Sequence, residues 1–219
     1  MKMKSAEVLP KVIGIARHRL QTDGQGVSTL VAFHGCPLHC KYCLNPQSLD
    51  RGRLWKRYDC MVLYEEVKVD ELYFLATGGG VTFGGGEPCL QSEFIRKFRE
   101  LCGKEWLLTV ETALNVEMEH IERLLPVVDR FIIDIKDMNS DIYKQYTGKD
   151  NEAVVRNLRL LVEHGRGSDM LVRVPLIPGY NTDGDRRKSC RQLEVMGVKY
   201  FDLFTYKINY HDDAGETNV

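Results

Sequence analysis

Gly35-Cys36-Pro37-Leu38-His39-Cys40-Lys41-Tyr42-Cys43-Leu44-Asn45-Pro46 spaces three cysteines as C-x3-C-x2-C, directly after the apolar run at residues 28–33. That run reads as a buried strand, so the thiols fall in the loop at its C-terminal end. Thiolates are soft ligands that suit iron–sulfur clusters. A [4Fe–4S] cluster has four irons, and three cysteines leave one of them open to a substrate or cofactor. The same spacing also serves zinc with a distant fourth ligand. The cysteines alone leave both metals open.

The whole chain bounds what this loop can belong to. Its 219 residues make a single domain, residues 1–219, with a core over about 12–207 and a polar tail at 208–219. Lys+Arg of 30 against Asp+Glu of 31 gives a net charge of −1. Charge therefore makes no case for nucleic acid or a membrane surface as a partner. No apolar run approaches the length of a membrane span. The first residues carry no apolar core of a secretory signal. Of seven cysteines, Cys60, Cys89, Cys102 and Cys190 are scattered and read as small buried apolar residues. An odd count without a framework argues against a disulfide scaffold and for a reducing cytoplasm.

Patterning predicts an edge strand at 12–19, followed by turn residues Thr22-Asp23-Gly24-Gln25-Gly26. Core strands follow at 28–33, 81–83, 106–110, 130–136, 170–177 and 200–206. Helices fall between them at 60–76, 92–102, 117–125, 151–164 and 183–196, with a loop at 44–59. Near-continuous apolar strands alternating with helices predict an α/β fold: a parallel sheet with outer helices. Right-handed crossovers curl six such units into a partial (β/α)6 barrel or an open sheet.

In such sheets ligands bind at the C-terminal ends of the strands, and the polar residues gather there. Gly84-Gly85-Gly86-Glu87-Pro88 follows the second core strand. Its glycines let backbone approach a ligand, and its carboxylate can bind an ammonium group. Glu111-Thr112 ends the third strand. Asp134 and Lys136, two residues apart, share one face of the fourth. A charged pair among Phe131, Ile132, Ile133 and Ile135 is costly unless paired or ligand-bound. Arg173 lies within the fifth strand. Tyr42 either walls a bound base or packs internally. His34 and His39 read as loop residues.

These residues resemble the radical S-adenosylmethionine (SAM) superfamily. Its signature C-x3-C-x-aromatic-C is met by Cys36, Cys40, Tyr42 and Cys43, and its GGE element by Gly85, Gly86 and Glu87. Within it the chain looks like the activating enzymes of glycyl radical enzymes, of the pyruvate formate-lyase activating type. Thr22-Asp23-Gly24-Gln25-Gly26-Val27 is similar to that group's D-G-P-G segment, and Tyr42-Cys43-Leu44-Asn45-Pro46 to its Y-C-x-N-P. Asp134-Ile135-Lys136-Asp137-Met138 is similar to D-x-K-x-M, and Arg173-Val174-Pro175-Leu176-Ile177-Pro178-Gly179 to R-x-x-x-x-P-G. The likeness covers about residues 12–206.

The resemblance implies a radical SAM fold and a [4Fe–4S] cluster held by Cys36, Cys40 and Cys43, with SAM chelating the open iron. One electron then splits the S–C5′ bond, and the deoxyadenosyl radical takes a hydrogen from a glycine Cα of the partner. The resemblance also implies that Gly85, Gly86 and Glu87 bind the methionine amine. Glu111, Thr112, Asp134 and Lys136 serve the ribose, the carboxylate or a nearby monovalent cation, and Tyr42 and Arg173 complete the cofactor-binding set. The implied partners are a glycyl radical enzyme and an electron donor such as flavodoxin or ferredoxin.

The chain departs from the group's pattern in three places. Gln25 replaces the proline of D-G-P-G, Glu111 stands where Asp is common, and Thr205-Tyr206-Lys207 stands where P-Y-H is frequent. No cysteine-rich insert lies between Cys43 and Gly84, so further clusters are not expected. Two other functions compete: a radical SAM enzyme acting on a small molecule, of the deazaguanine synthase kind, and a metal-binding or electron-transfer protein without SAM chemistry. The D-x-K-x-M and D-G-x-G matches favour the activating enzyme. Air-free reconstitution separates the classes. About four irons per chain, and 5′-deoxyadenosine released with dithionite and SAM, are expected; zinc as the bound metal would leave only the non-catalytic class.

Overall fold

The computed structural model describes residues 9–20, 22–50, 52 and 55–206. Its strands form one open sheet. β1 (Lys11–Leu20) runs antiparallel to β2 (Val27–Phe33) and to the two-residue β3 (Lys56–Arg57). From β2 a parallel run continues through β4 (Gly80–Gly85), β5 (Leu107–Thr112), β6 (Arg130–Asp134), β7 (Met170–Leu176) and β8 (Tyr200–Thr205). β3 and β8 are the two edges and are not joined. Helices α1 (Cys60–Lys68), α2 (Glu71–Thr77), α3 (Ser92–Cys102), α4 (Met118–Leu124), α5 (Ser140–Thr147), α6 (Glu152–Glu163) and α7 (Asp183–Val195) lie in the crossovers. Six parallel strands with outer helices are the expected partial (β/α)6 arrangement, with the antiparallel β1 as its edge extension. Among the described residues no helix is long and apolar enough to cross a membrane.

The alternation of side chains along each strand divides the sheet into two unlike faces. On the helix side Val31, Phe33, Val81, Phe83, Leu108, Val110, Phe131, Ile133, Val172 and Val174 are all buried. Phe98 of α3 closes this core by packing edge-on against Phe83, 5.4 Å between ring centres. The other face is polar towards the strand ends. Asp134, Arg173 and Asp202 are register neighbours across β6, β7 and β8, and Glu111 sits beside Ile132. The expectation of strands apolar on both faces therefore holds for one face only.

Two local readings are corrected. Residues 60–76 form two helices, not one. Asp70 falls at the break, buried, with its carboxylate 3.1 Å from Arg17, 2.8 Å from the Thr29 hydroxyl and 3.2 Å from His18. Serving those donors takes Asp70 out of the helix. The second correction is α5, which the sequence reading passed over. Asn139 caps it by accepting from the Asp141 and Ile142 amides, and Gly148 ends it at φ +80°. Its buried residues are Tyr143, Tyr146 and Thr147, so no aliphatic stripe announces it. Asp70→Ala leaves the buried Thr29 hydroxyl without its acceptor and takes the carboxylate from the exposed Arg17, which keeps its bond to Glu66 O. Urea denaturation should register a loss of about 2–3 kcal/mol, and an unchanged midpoint would remove Asp70 as the anchor of this corner.

Candidate active site

The turn after β4 is stitched to the root of the cysteine loop. The Gly86 amide donates to Phe33 O at 2.9 Å and the Glu87 amide to Gly35 O at 2.8 Å. This approach requires glycine. A β-carbon on Gly86 would lie 2.2 Å from Gly35 O, and Gly85, at φ +89°, would put one 2.8 Å from Ala32 Cβ. The far side of the loop is held by α5: the His39 amide donates to Thr147 O and the Lys41 amide to Tyr146 O. Cys36, Cys40 and Cys43 are thus clamped between the β4 turn and the end of α5.

One cavity at the C-terminal ends of the strands is lined by Cys36, Cys40, Cys43, Gly85, Gly86, Glu87, Glu111, Thr112, Asp134 and Lys136. Ten of the twelve site residues proposed from sequence, drawn from four segments of the chain, meet there. The other two lie outside its lining. Tyr42 packs against Tyr146 and Tyr180 and donates to Pro178 O at 3.3 Å. Arg173 sits behind the wall, paired with Glu111, 3.6 Å from Asp202 and 3.3 Å from Thr22 O. Glu111 thus already faces a protein cation. The Gly84 position gives its longer side chain room, since a β-carbon there would lie 3.3 Å from Glu111 Oε2. Lys207 lies outside the described residues.

Glu87 is buried and well partnered. Oε1 accepts from Thr112 Oγ1 at 2.7 Å and the Cys89 amide at 3.1 Å, and Oε2 from the Ala113 amide at 3.0 Å. Burial still pushes its carboxyl above the usual range. A carboxylate offers about four acceptor sites, so Oε2 keeps one for a ligand. Lys136, also buried, donates to Asp134 at 3.2 Å and to the Tyr206 hydroxyl at 3.0 Å. Burial alone would lower its pKa, but the charge of Asp134 and the contact with Tyr206 raise it well above the ordinary value. An ammonium has three donors, and one remains.

Tyr206 lines the cavity and was missed as a site residue, although its place just past the last strand was the available signal. Asp137 was also missed. It is buried, accepting from Asn181 at 3.1 Å and Ser189 at 3.1 Å, and ties the loop after β6 to the loop before α7 and to the middle of that helix. No local pattern marks it.

The donor set fits an iron–sulfur cluster. Cys36, Cys40 and Cys43 are free thiols on one cavity wall. Three soft thiolates would leave one iron of a [4Fe–4S] cluster without a protein ligand, and Glu87 and Lys136 line the same cavity.

Residues 30–192 match the Radical SAM superfamily, and the chain belongs to it. Its likeness is to activating enzymes in particular. It is 37% identical to the (2S)-3-sulfopropanediol dehydratase activating enzyme of Klebsiella oxytoca, over 74% of this chain and 69% of that one. It is 25% identical to the trans-4-hydroxy-L-proline dehydratase activating enzyme of Clostridioides difficile, over 90% and 84%, and 29% identical to the pyruvate formate-lyase 2-activating enzyme of Escherichia coli K12, over 78% and 68%. Among solved structures, Streptococcus suis SuiB bound to S-adenosylmethionine shares the fold at 12% identity, covering 80% of this chain and 39% of that one, TM-score 0.63. Native anSMEcpe with bound AdoMet does so at 19%, covering 81% and 53%, TM-score 0.59. The superfamily implies a [4Fe–4S] cluster and SAM.

Burial, then the neighbouring Glu87 charge, pushes the Cys36 thiol up to about 12. In the metal-free chain at pH 8, Cys36 should alkylate at least about a hundredfold more slowly than an unhindered cysteine, and faster in Glu87→Gln. Peptide mass spectrometry after iodoacetamide pulses reads both rates; a Cys36 as quick as free cysteine contradicts this environment.

Proposed function

We propose that this chain is a single-domain radical SAM activating enzyme of the cytoplasm, which abstracts a hydrogen from a glycine of a partner glycyl radical enzyme. The observation that carries this reading is the convergence of three thiols, Glu87 and Lys136 on one cavity, in a chain whose relatives are activating enzymes. Neither the small-molecule nor the non-catalytic alternative is favoured by those relatives.

Cys36, Cys40 and Cys43 would hold the [4Fe–4S] cluster, and metal binding would draw off the protons that burial helps Cys36 and Cys40 to retain. When bound, the cluster and SAM supply one-electron cleavage to a 5′-deoxyadenosyl radical. The chain's own residues bind and orient. Glu87, held by three protein donors, would offer its remaining acceptor site to the methionine ammonium beside Gly85 and Gly86. Lys136, fixed by Asp134 and Tyr206, would offer its remaining N–H to a carboxylate or ribose oxygen. Thr112 orients Glu87, and Arg173 holds Glu111. Tyr42, packed beneath the loop, would act by supporting it. A monovalent cation near Asp134, and a flavodoxin- or ferredoxin-like electron donor, complete the reading.

Anaerobic incubation with SAM, a reductant and a candidate glycyl radical enzyme should produce a glycyl radical signal by electron paramagnetic resonance. Cys40→Ala should abolish both that signal and 5′-deoxyadenosine. Full deoxyadenosine release by Cys40→Ala would refute the cluster assignment. Release by the intact enzyme without a glycyl radical on any candidate would point to a small-molecule substrate.

A further inference from the structure

α1 and α2 present an outward stripe that nothing among the described residues covers. Their inward residues Leu63, Val67 and Phe74 are fully buried. Outward, Met61 and Leu75 are each 50% exposed, Val69 68% and Leu72 80%. Isolated exposed apolar residues are ordinary; several on one face at helical spacing form a patch that wants a partner. The break at Asp70 does not interrupt the stripe. The inward residues Leu63, Val67, Asp70 and Phe74 follow at spacings of four, three and four across it, so the outward face keeps its register.

Two charged residues interrupt the stripe, and their order identifies the occupant. Met61, Glu65, Lys68 and Leu72 follow at spacings of four, three and four residues. Reversing the direction of the chain leaves those spacings unchanged and exchanges acid for base. Two such helices laid antiparallel about a twofold axis bring Glu65 of each against Lys68 of the other, and Met61 against Leu72. Glu65 has no hydrogen bond or ion pair among the described residues, and Lys68 only overlies the Tyr64 ring, 5.4 Å from its centre. A twofold interface requires this self-complementarity; an unrelated partner does not.

We propose that the α1–α2 stripe is a homodimer interface, its occupant a second copy of this chain packed antiparallel, with reciprocal Glu65–Lys68 pairs between apolar ends. The proposal is independent of the activity assigned above.

Sedimentation velocity on the full chain, cluster-loaded and air-free, tests it. The wild type should sediment as a reversible dimer. Glu65→Lys sets like charges against each other and should weaken dimerisation about tenfold or more, as should Leu72→Glu. Glu65→Lys combined with Lys68→Glu should restore it, a recovery that damage to folding cannot mimic. Both positions are exposed, and circular dichroism verifies that each variant folds. A wild type that is monomeric at every concentration reached overturns the proposal, and so does a dimer indifferent to Leu72→Glu. A charge swap that fails to restore association overturns it too and leaves the stripe to a different protein.

Discussion

The contact between Gly86 and the carbonyl of Gly35 is the constraint on which the site depends. It carries the pairing of β2 with β4 two residues beyond the strands and leaves no room for a β-carbon. Glu87 and the cysteine loop are thereby held by the same ladder that builds the sheet. Neither needs a flexible segment to find the other. This is the rigid support that a pre-organised site requires, and it accounts for glycine in terms of backbone crowding as much as ligand approach.

The division of the sheet into an apolar and a polar face follows from its being open. A parallel strand packed on both sides by helices must be apolar throughout. Here helices cover one side, and the strand ends of the other carry Glu111, Asp134, Arg173 and Asp202 in neighbouring registers. Their charges alternate in sign across β6, β7 and β8, so each carboxylate has a cation within reach. The cluster of partly buried charges is thus largely compensated before any ligand arrives, which keeps its desolvation cost tolerable.

Much of this was legible in the sequence because the signals are local. The C-x3-C-x2-C spacing, the glycine run with its carboxylate, the Asp134–Lys136 alternation and the apolar strands each fit within a few residues, and topology brings their strand ends together. What escaped was made by distance. Arg173 meets Glu111 from 62 residues away, Asp137 meets Asn181 from 44 and Ser189 from 52. Tyr42 joins Tyr146 and Tyr180, so its neighbours could not be inferred from its own loop. α5 escaped for another reason: its inward face is built of tyrosines, which carry no aliphatic period. The joining of α1 and α2 into one helix failed because nothing next to Asp70 in the chain marks it as buried, while its partners sit on β1 and β2.

The connection at 44–59 is anchored close to both of its ends. The Gly35 amide donates to Ser48 O, and the Tyr58 amide donates to Pro10 O just ahead of Asp59, which caps α1. Between these points the described contacts reach the sheet's edge and His34 rather than the thiols: Asp50 O meets His34, Trp55 lies under Lys11 and Arg57, and β3 pairs with β1. Lengthening a loop costs slowly, roughly 0.6 kcal/mol for each doubling. This stretch is therefore a grafting point: a whole module could be spliced in there without moving a thiol, so accessory units could come and go while the chemistry beneath them stayed the same.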